Sequence, residues 1–167
     1  MKISKQIEVV EESDVFHLVI RQGKAPFSIR LFLSIFMIIG FVTPVISLAV
    51  SFYKDLEIGF SFITTVIIGL LVGFYLLRLI LWNTYGKEIL SVSADRIDYY
   101  CDYRYFRGNR KSLKGGRYYF SPAYTRDEHY GKIKVENDAD TFTTQVEIPQ
   151  TKLLEAIQLL SEKHREV

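Results

Sequence analysis

The sequence predicts an α+β membrane protein, in which a hairpin of two transmembrane helices is followed by an antiparallel β-sheet domain that a C-terminal helix closes. Apolar residues are concentrated between residues 27 and 82. The segments on either side alternate polar and apolar residues, as half-buried strands do. The end of the chain instead has the three- and four-residue apolar spacing of an amphipathic helix. This uneven distribution indicates a membrane segment joined to polar parts.

Residues 1–26 are predicted to form a cytoplasmic β-hairpin. Residues 6–9 and 15–20 have strand-like alternation, and Glu11-Glu12-Ser13-Asp14 supplies the turn between them. A lone two-stranded hairpin is marginally stable in water. We therefore expect this hairpin to join the larger sheet that is predicted after the helices.

Residues 27–83 are predicted to form the membrane hairpin. Its two uncharged runs, residues 31–53 and 58–77, have about 23 and about 20 residues, close to the ~20 that cross the hydrocarbon core; the second helix is expected to reach about residue 81. The short connection, residues 54–57, makes the helices antiparallel neighbours. Basic residues are more numerous on the outer flanks than in this connection, so the positive-inside rule predicts a multi-pass protein of the cytoplasmic (inner) membrane with both chain ends in the cytoplasm.

The second run contains Gly69 and Gly73, four residues apart. Small residues at this spacing let two helix backbones approach closely in lipid. The pair is predicted to pack helices, either within the hairpin or between two copies of the chain, and the sequence does not distinguish the two. Neither run has an acidic residue, a histidine or a lysine at its centre, which argues against an ion or charged-substrate pathway.

Residues 84–167 are predicted to form the sheet domain. Its strands are expected, in order, at residues 87–92, 96–106, 117–120, 131–135 and 141–148. Gly108-Asn109 predicts the turn after the second strand, and residues 121–130 predict a loop or irregular edge. Pro149 ends the last strand, and Thr151 is the expected N-cap of a helix whose apolar face covers the sheet.

One basic run in this domain is the candidate binding surface for anionic lipid headgroups or for a protein partner. It contains six basic residues and no acid: Arg104, Arg107, Arg110, Lys111, Lys114 and Arg117. Its glycines favour a loop whose backbone turns sharply and donates N–H groups. Basic groups near an anionic leaflet gain about 1 kcal/mol each. The simpler interpretation is a solvated loop whose charge only reinforces the membrane topology.

No enzymatic site, cofactor site or metal site is predicted. The sequence has no Ser-His-Asp signature, no phosphate-binding loop motif and no dinucleotide fingerprint. The histidines, His17, His129 and His164, are scattered, and the lone Cys101 cannot form an internal disulfide. The net charge of +2 gives no global case for nucleic acid binding.

The run from Tyr85 to Ile97, YGKEILSVSADRI, leads through a glycine into a strand, a tight turn and a second strand. With the polar N-terminus, the helix hairpin and the closing helix, it resembles the bacterial pleckstrin-homology (PH) domain membrane proteins over nearly the whole chain. The resemblance implies a PH-like bent sheet and basic loops that bind headgroup phosphates, but no catalytic motif and no site residues. The aromatic, basic stretch from Tyr99 to Tyr130 departs from that pattern.

The expected function is that of a non-catalytic, membrane-anchored interaction module, which presents the PH-like domain to a protein partner or an anionic lipid. Two alternatives stay open. One is an immunity-type inhibitor of a membrane-active toxin. The other is an accessory subunit of a larger membrane complex, docked through Gly69 and Gly73, and a homo-oligomer could use the same face.

Overall fold

The computed structural model describes residues 6–12, 15–54, 59–125 and 129–166. They divide into two compact units: a helical unit, Lys24–Thr84, and a β-rich unit built from the chain on both sides of it. Three predicted connections fall partly outside these residues: the turn at 11–14, the helix connection at 54–57 and the loop at 121–130.

The helical unit contains α1 (Phe27–Tyr53) and α2, which runs from Phe60 to Tyr85. Both helices are long and apolar enough to cross a membrane, and only 6% of the most apolar window of each is buried. They extend about four residues beyond the predicted spans on the outer flanks. The amide of Arg30 donates to the carbonyl of Pro26, which sets the first turn of α1 directly after the proline.

The first sheet has five antiparallel strands in sequence order: β1 (Ile7–Glu12), β2 (Val15–Arg21), β3 (Lys87–Val92), β4 (Arg96–Asp102) and β5 (Arg107–Lys114). The expected joining of the N-terminal hairpin to the main sheet is observed, because Leu18 of β2 pairs with Leu90 of β3. Strand β5 is therefore an edge of this sheet, and β1 is the other edge.

The second sheet contains β6 (Tyr119–Tyr124), β7 (Tyr130–Glu136), β8 (Thr141–Thr143) and β9 (Ile148–Pro149). Strand β7 pairs with each of the other three. The C-terminal helix α3 (Gln150–Glu166) packs against β6, β7 and β9. Its residue Leu153 is fully buried. Gly131 of β7 makes room for it, since a Cβ there would lie 2.6 Å from Cδ2 of Leu153.

The predicted turn at Gly108-Asn109 is wrong. The chain turns at residues 103–106, where the amide of Tyr103 donates to the carbonyl of Phe106 and Arg104 has a φ of 81°. Gly108 and Asn109 lie inside β5, at a shift of register against β4. The dipeptide therefore marks a β-bulge, where one strand has an extra residue, rather than a hairpin turn.

The later strand boundaries also differ from the prediction. The first residues of the predicted loop are part of a strand, because β6 continues to Tyr124. Strand β6 can contain Pro122 because it lies at the edge of its sheet, where proline is tolerated. The predicted strand 141–148 is divided into β8 and β9 by an intervening bend. Helix α3 begins at Gln150, so Thr151 lies in its first turn and is not the N-cap.

The core of the β-rich unit lies between the two sheets and under α3. Tyr99 of the first sheet stacks on Phe142 of the second, with ring centroids 5.1 Å apart. Ile133 and Leu160 are also fully buried. Antiparallel sheets with a C-terminal helix agree with the coarse layout that the family resemblance implies.

Candidate functional site: a cationic groove beside an edge strand

The candidate site lies on the face of the first sheet that points away from the core. In β4 the residues Ile97, Tyr99 and Cys101 are buried, so Asp98 and Tyr100 point to the opposite face. The strand register extends this face across four strands. One cross-strand row consists of His17, Ser91, Asp98 and Ser112.

This face contains an open groove of about 570 Å³. We call it the β5 groove, and it is lined by Val15, His17, Ser91, Ser93, Arg96, Asp98, Tyr99, Tyr100, Arg107, Arg110, Lys111 and Ser112. Strands β2 to β5 all contribute. The lining residues of β2 are far in sequence from those of β3 to β5, because β2 precedes the two helices and β3 to β5 follow them.

The β5 groove is strongly cationic. Four basic residues and one acidic residue line it, which gives a formal charge of four minus one, or +3, with neutral histidine. The acid, Asp98, is 3.0 Å from Nε of Arg96. Within the described part of the chain, no carboxylate forms an ion pair with Arg107, Arg110 or Lys111, and all three are exposed. These three cations can therefore bind an external anion.

Aromatic and polar neighbours position several of these groups. The guanidinium of Arg107 lies over the Tyr100 ring, 4.9 Å from its centroid, which is cation–π geometry. Ser91 Oγ is 2.8 Å from Nδ1 of His17. The groove thus combines cations with hydroxyl groups, and both can donate hydrogen bonds to oxyanions.

The Ser91–His17 contact does not have the geometry of a hydrolytic triad. The third group, Glu12, is 3.8 Å from Nε2 of His17, and its side chain is 80% exposed. A hydrolytic base needs an orienting group within hydrogen-bond reach, and this carboxylate is beyond it. The sheet amides that surround Ser91 are also engaged in strand pairing. The contact orders the serine hydroxyl.

Three of the six basic residues predicted from the sequence line this groove. Arg107, Arg110 and Lys111 line the β5 groove, and the other three do not. Arg104 instead lies over Tyr85, 4.6 Å from the ring centroid. The predicted loop is wrong for most of the run, because residues 107–114 are the edge strand β5 and the bulge sets how its side chains face β4.

Several lining residues were not identified from the sequence. The alternation of β4 could have placed Arg96, Asp98 and Tyr100 on one face, because buried and exposed positions alternate strictly there. No local signal could have placed His17 or Ser91 beside them. Those positions depend on the pairing of β2 with β3.

Gly69 and Gly73 contact α1 within the helical unit. A Cβ on Gly69 would lie 2.8 Å from Cγ of Pro44. A Cβ on Gly73 would lie 3.2 Å from the Phe41 ring, and one on Gly40 would lie 3.1 Å from Cα of Gly73. These contacts occur within one chain. They use the glycine face of α2 that was also the candidate for contact between two copies of the chain.

A buried carboxyl group, Glu88, lies on the core side of the first sheet and is only 1% exposed. Its Oε1 accepts hydrogen bonds from the Tyr99 hydroxyl at 2.7 Å and from the Gln145 amide at 2.6 Å. Its Oε2 is also buried. Burial raises the pKa of the Glu88 carboxyl, and burial also raises the pKa of the Tyr99 phenol. This network connects the two sheets and is closed to a substrate.

Within the described residues, no group of three or more His, Cys, Asp and Glu could hold a metal ion. Two residues of the trio Asp127-Glu128-His129 lie outside them. No protein-family model and no curated protein sequence matches this chain.

Proposed function

We propose that the protein is a non-catalytic, membrane-anchored interaction module, which binds anionic lipid through the β5 groove at the cytoplasmic face of the inner membrane. The observation that carries this proposal is the groove charge of +3, with three exposed basic residues that have no carboxylate partner among the described residues. Each such cation near an anionic leaflet contributes about 1 kcal/mol to membrane attraction.

Insertion of α1 and α2 into the bilayer is supported by how little of their apolar surface is covered. Phe60 is 86% exposed, and many other large apolar side chains of both helices are exposed as well. A core helix of a soluble protein would bury most of that surface, because exposed apolar patches of this size are rare in monomeric soluble proteins. Both helices also exceed the ~20 residues that cross a bilayer.

A PH-like identity of the β-rich unit is supported by its layout. Two antiparallel sheets share a core, and one C-terminal helix packs on the second sheet. Gly86 alone separates α2 from β3, so the chain has no long linker between the helices and this domain.

A binding role is also favoured over catalysis by the chemistry of the groove. Its lining combines guanidinium, ammonium and hydroxyl groups, which bind and orient anions. At the serine–histidine contact, the Glu12 carboxylate is 3.8 Å from the histidine, beyond hydrogen-bond distance. An accessory-subunit role that docks through Gly69 and Gly73 would need another surface, since α1 already contacts both.

The proposed function is tested by purification of the tagged full-length protein in mild detergent, with mass spectrometry of co-purifying lipids and proteins. The variant Arg107→Glu/Arg110→Glu/Lys111→Glu reverses the charge of the groove. We expect anionic lipid to be enriched with the wild-type protein and depleted with the variant, while membrane insertion is unchanged. Equal lipid profiles for the two proteins would refute lipid binding by the groove. A stoichiometric protein partner without lipid enrichment would refute it as well.

A further inference from the structure

We propose that the β5 groove is a specific site for an organic phosphomonoester, in which Arg96, Arg107 and Arg110 bind the phosphate group. This inference rests on the proposed function and deepens it, because it replaces general attraction to negative charge with one ligand chemistry. The three arginines come from two neighbouring strands and line the same groove.

The type of cation favours phosphate. Three of the four lining cations are arginines, and a planar guanidinium can donate two parallel hydrogen bonds to a phosphate group. A phosphomonoester carries close to two negative charges near neutral pH. The groove charge of +3 exceeds that charge, so the bound group can be fully neutralised.

Two of the arginines are already held in place. Arg107 lies over the Tyr100 ring at 4.9 Å, and Nε of Arg96 is 3.0 Å from Asp98 Oδ2. Binding to side chains that are already ordered costs less conformational entropy than binding to mobile ones.

Hydroxyl groups complete the polar lining. Ser93 and Ser112 line the groove beside the arginines, and Ser91 is ordered by its 2.8 Å contact with His17. Serine hydroxyls can donate hydrogen bonds to those phosphate oxygens that are not bound by guanidinium groups. Cations and hydroxyls on one concave surface are therefore complementary to a tetrahedral oxyanion.

The size of the groove leaves room for an organic part attached to the phosphate. Sites for small organic molecules have volumes of about 300–1,000 Å³, and the β5 groove has about 570 Å³. Inorganic phosphate would fill only a small part of it. Val15 and the ring of Tyr100 supply apolar surface for the remainder of the ligand.

The phosphomonoester could come from a lipid headgroup or from a soluble metabolite, and both have the same chemistry at the groove. Full-length protein in phosphatidylcholine nanodiscs would be titrated with glycerol 3-phosphate by calorimetry. In parallel, its recruitment to vesicles that contain phosphatidic acid, a phosphomonoester lipid, would be compared with vesicles of equal surface charge that contain phosphatidylglycerol, a phosphodiester lipid.

The decisive comparison uses two variants that lose the same charge. Arg107→Gln/Arg110→Gln removes two groove arginines, whereas Arg104→Gln/Arg117→Gln removes two arginines of the same basic run outside the groove. We expect the groove variant to weaken glycerol 3-phosphate binding at least about tenfold, and the control to change it less than about twofold. Equal melting temperatures of the two variants would show that the domain is folded in both.

Binding of glycerol 3-phosphate together with preference for phosphatidic acid would support the inference and assign the lipid as the source. Binding of glycerol 3-phosphate without vesicle preference would support it and assign a soluble ligand. Absence of glycerol 3-phosphate binding, or equal losses in the two variants, would overturn it. In that case, co-purification of anionic lipid that still depends on Arg107, Arg110 and Lys111 would leave the proposed function standing, so the two failures are distinguishable.

Discussion

The hydroxyl of Tyr99 donates a 2.7 Å hydrogen bond to Oε1 of Glu88, and both side chains are buried on the core side of the first sheet. The same oxygen accepts the Gln145 amide, which belongs to the bend before β9. A single carboxyl group thereby joins the two sheets, at a position where burial raises its pKa above the usual 4.5.

Replacement of Glu88 by glutamine is expected to remove a pH dependence of stability. The pKa of Glu88 is higher in the folded protein than in the unfolded chain. As the pH rises, this carboxyl therefore ionises in the unfolded chain at a lower pH than in the folded protein, and that ionisation favours unfolding. The stability of the wild-type protein is therefore highest below pH 4.5 as far as this group is concerned, and falls as the pH rises from there through the folded pKa. Urea unfolding of detergent-solubilised protein, followed between about pH 4 and pH 8, should show a smaller decline for Glu88→Gln.

Glu88→Ala is the matched comparison for that experiment. Glutamine keeps an oxygen for the Tyr99 hydroxyl and the Gln145 amide, whereas alanine leaves both donors buried and unpaired. We expect Glu88→Ala to lower the free energy of unfolding by about 2–4 kcal/mol, and Glu88→Gln to be at least as stable as wild type at neutral pH. A Glu88→Gln protein as unstable as Glu88→Ala would contradict the role assigned to the hydrogen bonds.

Gly131→Ala is expected to destabilise the contact between β7 and α3. The new Cβ would lie 2.6 Å from Cδ2 of Leu153 and 3.3 Å from the carbonyl oxygen of Ala123, so the helix or the strand must shift. Overpacking of this kind costs about 1–3 kcal/mol, measured as a lower urea midpoint with an unchanged slope. Gly23→Ala is the control, because its nearest neighbour would be 3.9 Å away. Equal midpoints for the two variants would show that α3 adjusts without cost.

Gly73→Leu is expected to separate α1 from α2 at a point where the two helices are in contact. Gly73 has α1 atoms of Gly40 and Phe41 in direct contact, and a leucine side chain has no space there. Spin labels at Ile38 and Phe74, which are both exposed, should report a longer and broader distance distribution in nanodiscs. Leu71→Phe enlarges an exposed residue of the same helix and should leave the distribution unchanged. The same distribution in all three proteins would mean that these glycines do not set the helix spacing.

The predicted membrane topology can be measured by cysteine labelling. Lys54 and Lys24 are both exposed, at opposite ends of α1. A membrane-impermeant maleimide added to spheroplasts should modify Lys54→Cys, whereas Lys24→Cys should react only after permeabilisation, because the positive-inside rule puts its flank in the cytoplasm. Cys101 is fully buried and should contribute little background. The reverse labelling pattern would invert the assigned orientation.

The helices and several strands could be predicted from the sequence, because each depends on the residues within its own segment. The apolar runs predicted two long helices, since length and composition alone determine whether a helix can cross a bilayer. Alternation in β4 and the apolar spacing in α3 predicted a strand and a covering helix. Local signals failed at Gly108-Asn109, where a dipeptide typical of turns lies in a bulge of β5.

The sequence by itself determined that basic residues are concentrated between Arg104 and Arg117, because charge is a property of the residues themselves. Only the tertiary structure decided which of them share a groove. The pairing of β2 with β3 brings His17 beside Ser91, although the two residues are far apart in the sequence. The bulge in β5 puts Arg107 and Arg110 on the same face of that strand, whereas Arg104 lies in the turn before it. Register between distant strands depends on the packing of the whole core, and no periodicity within one segment encodes it.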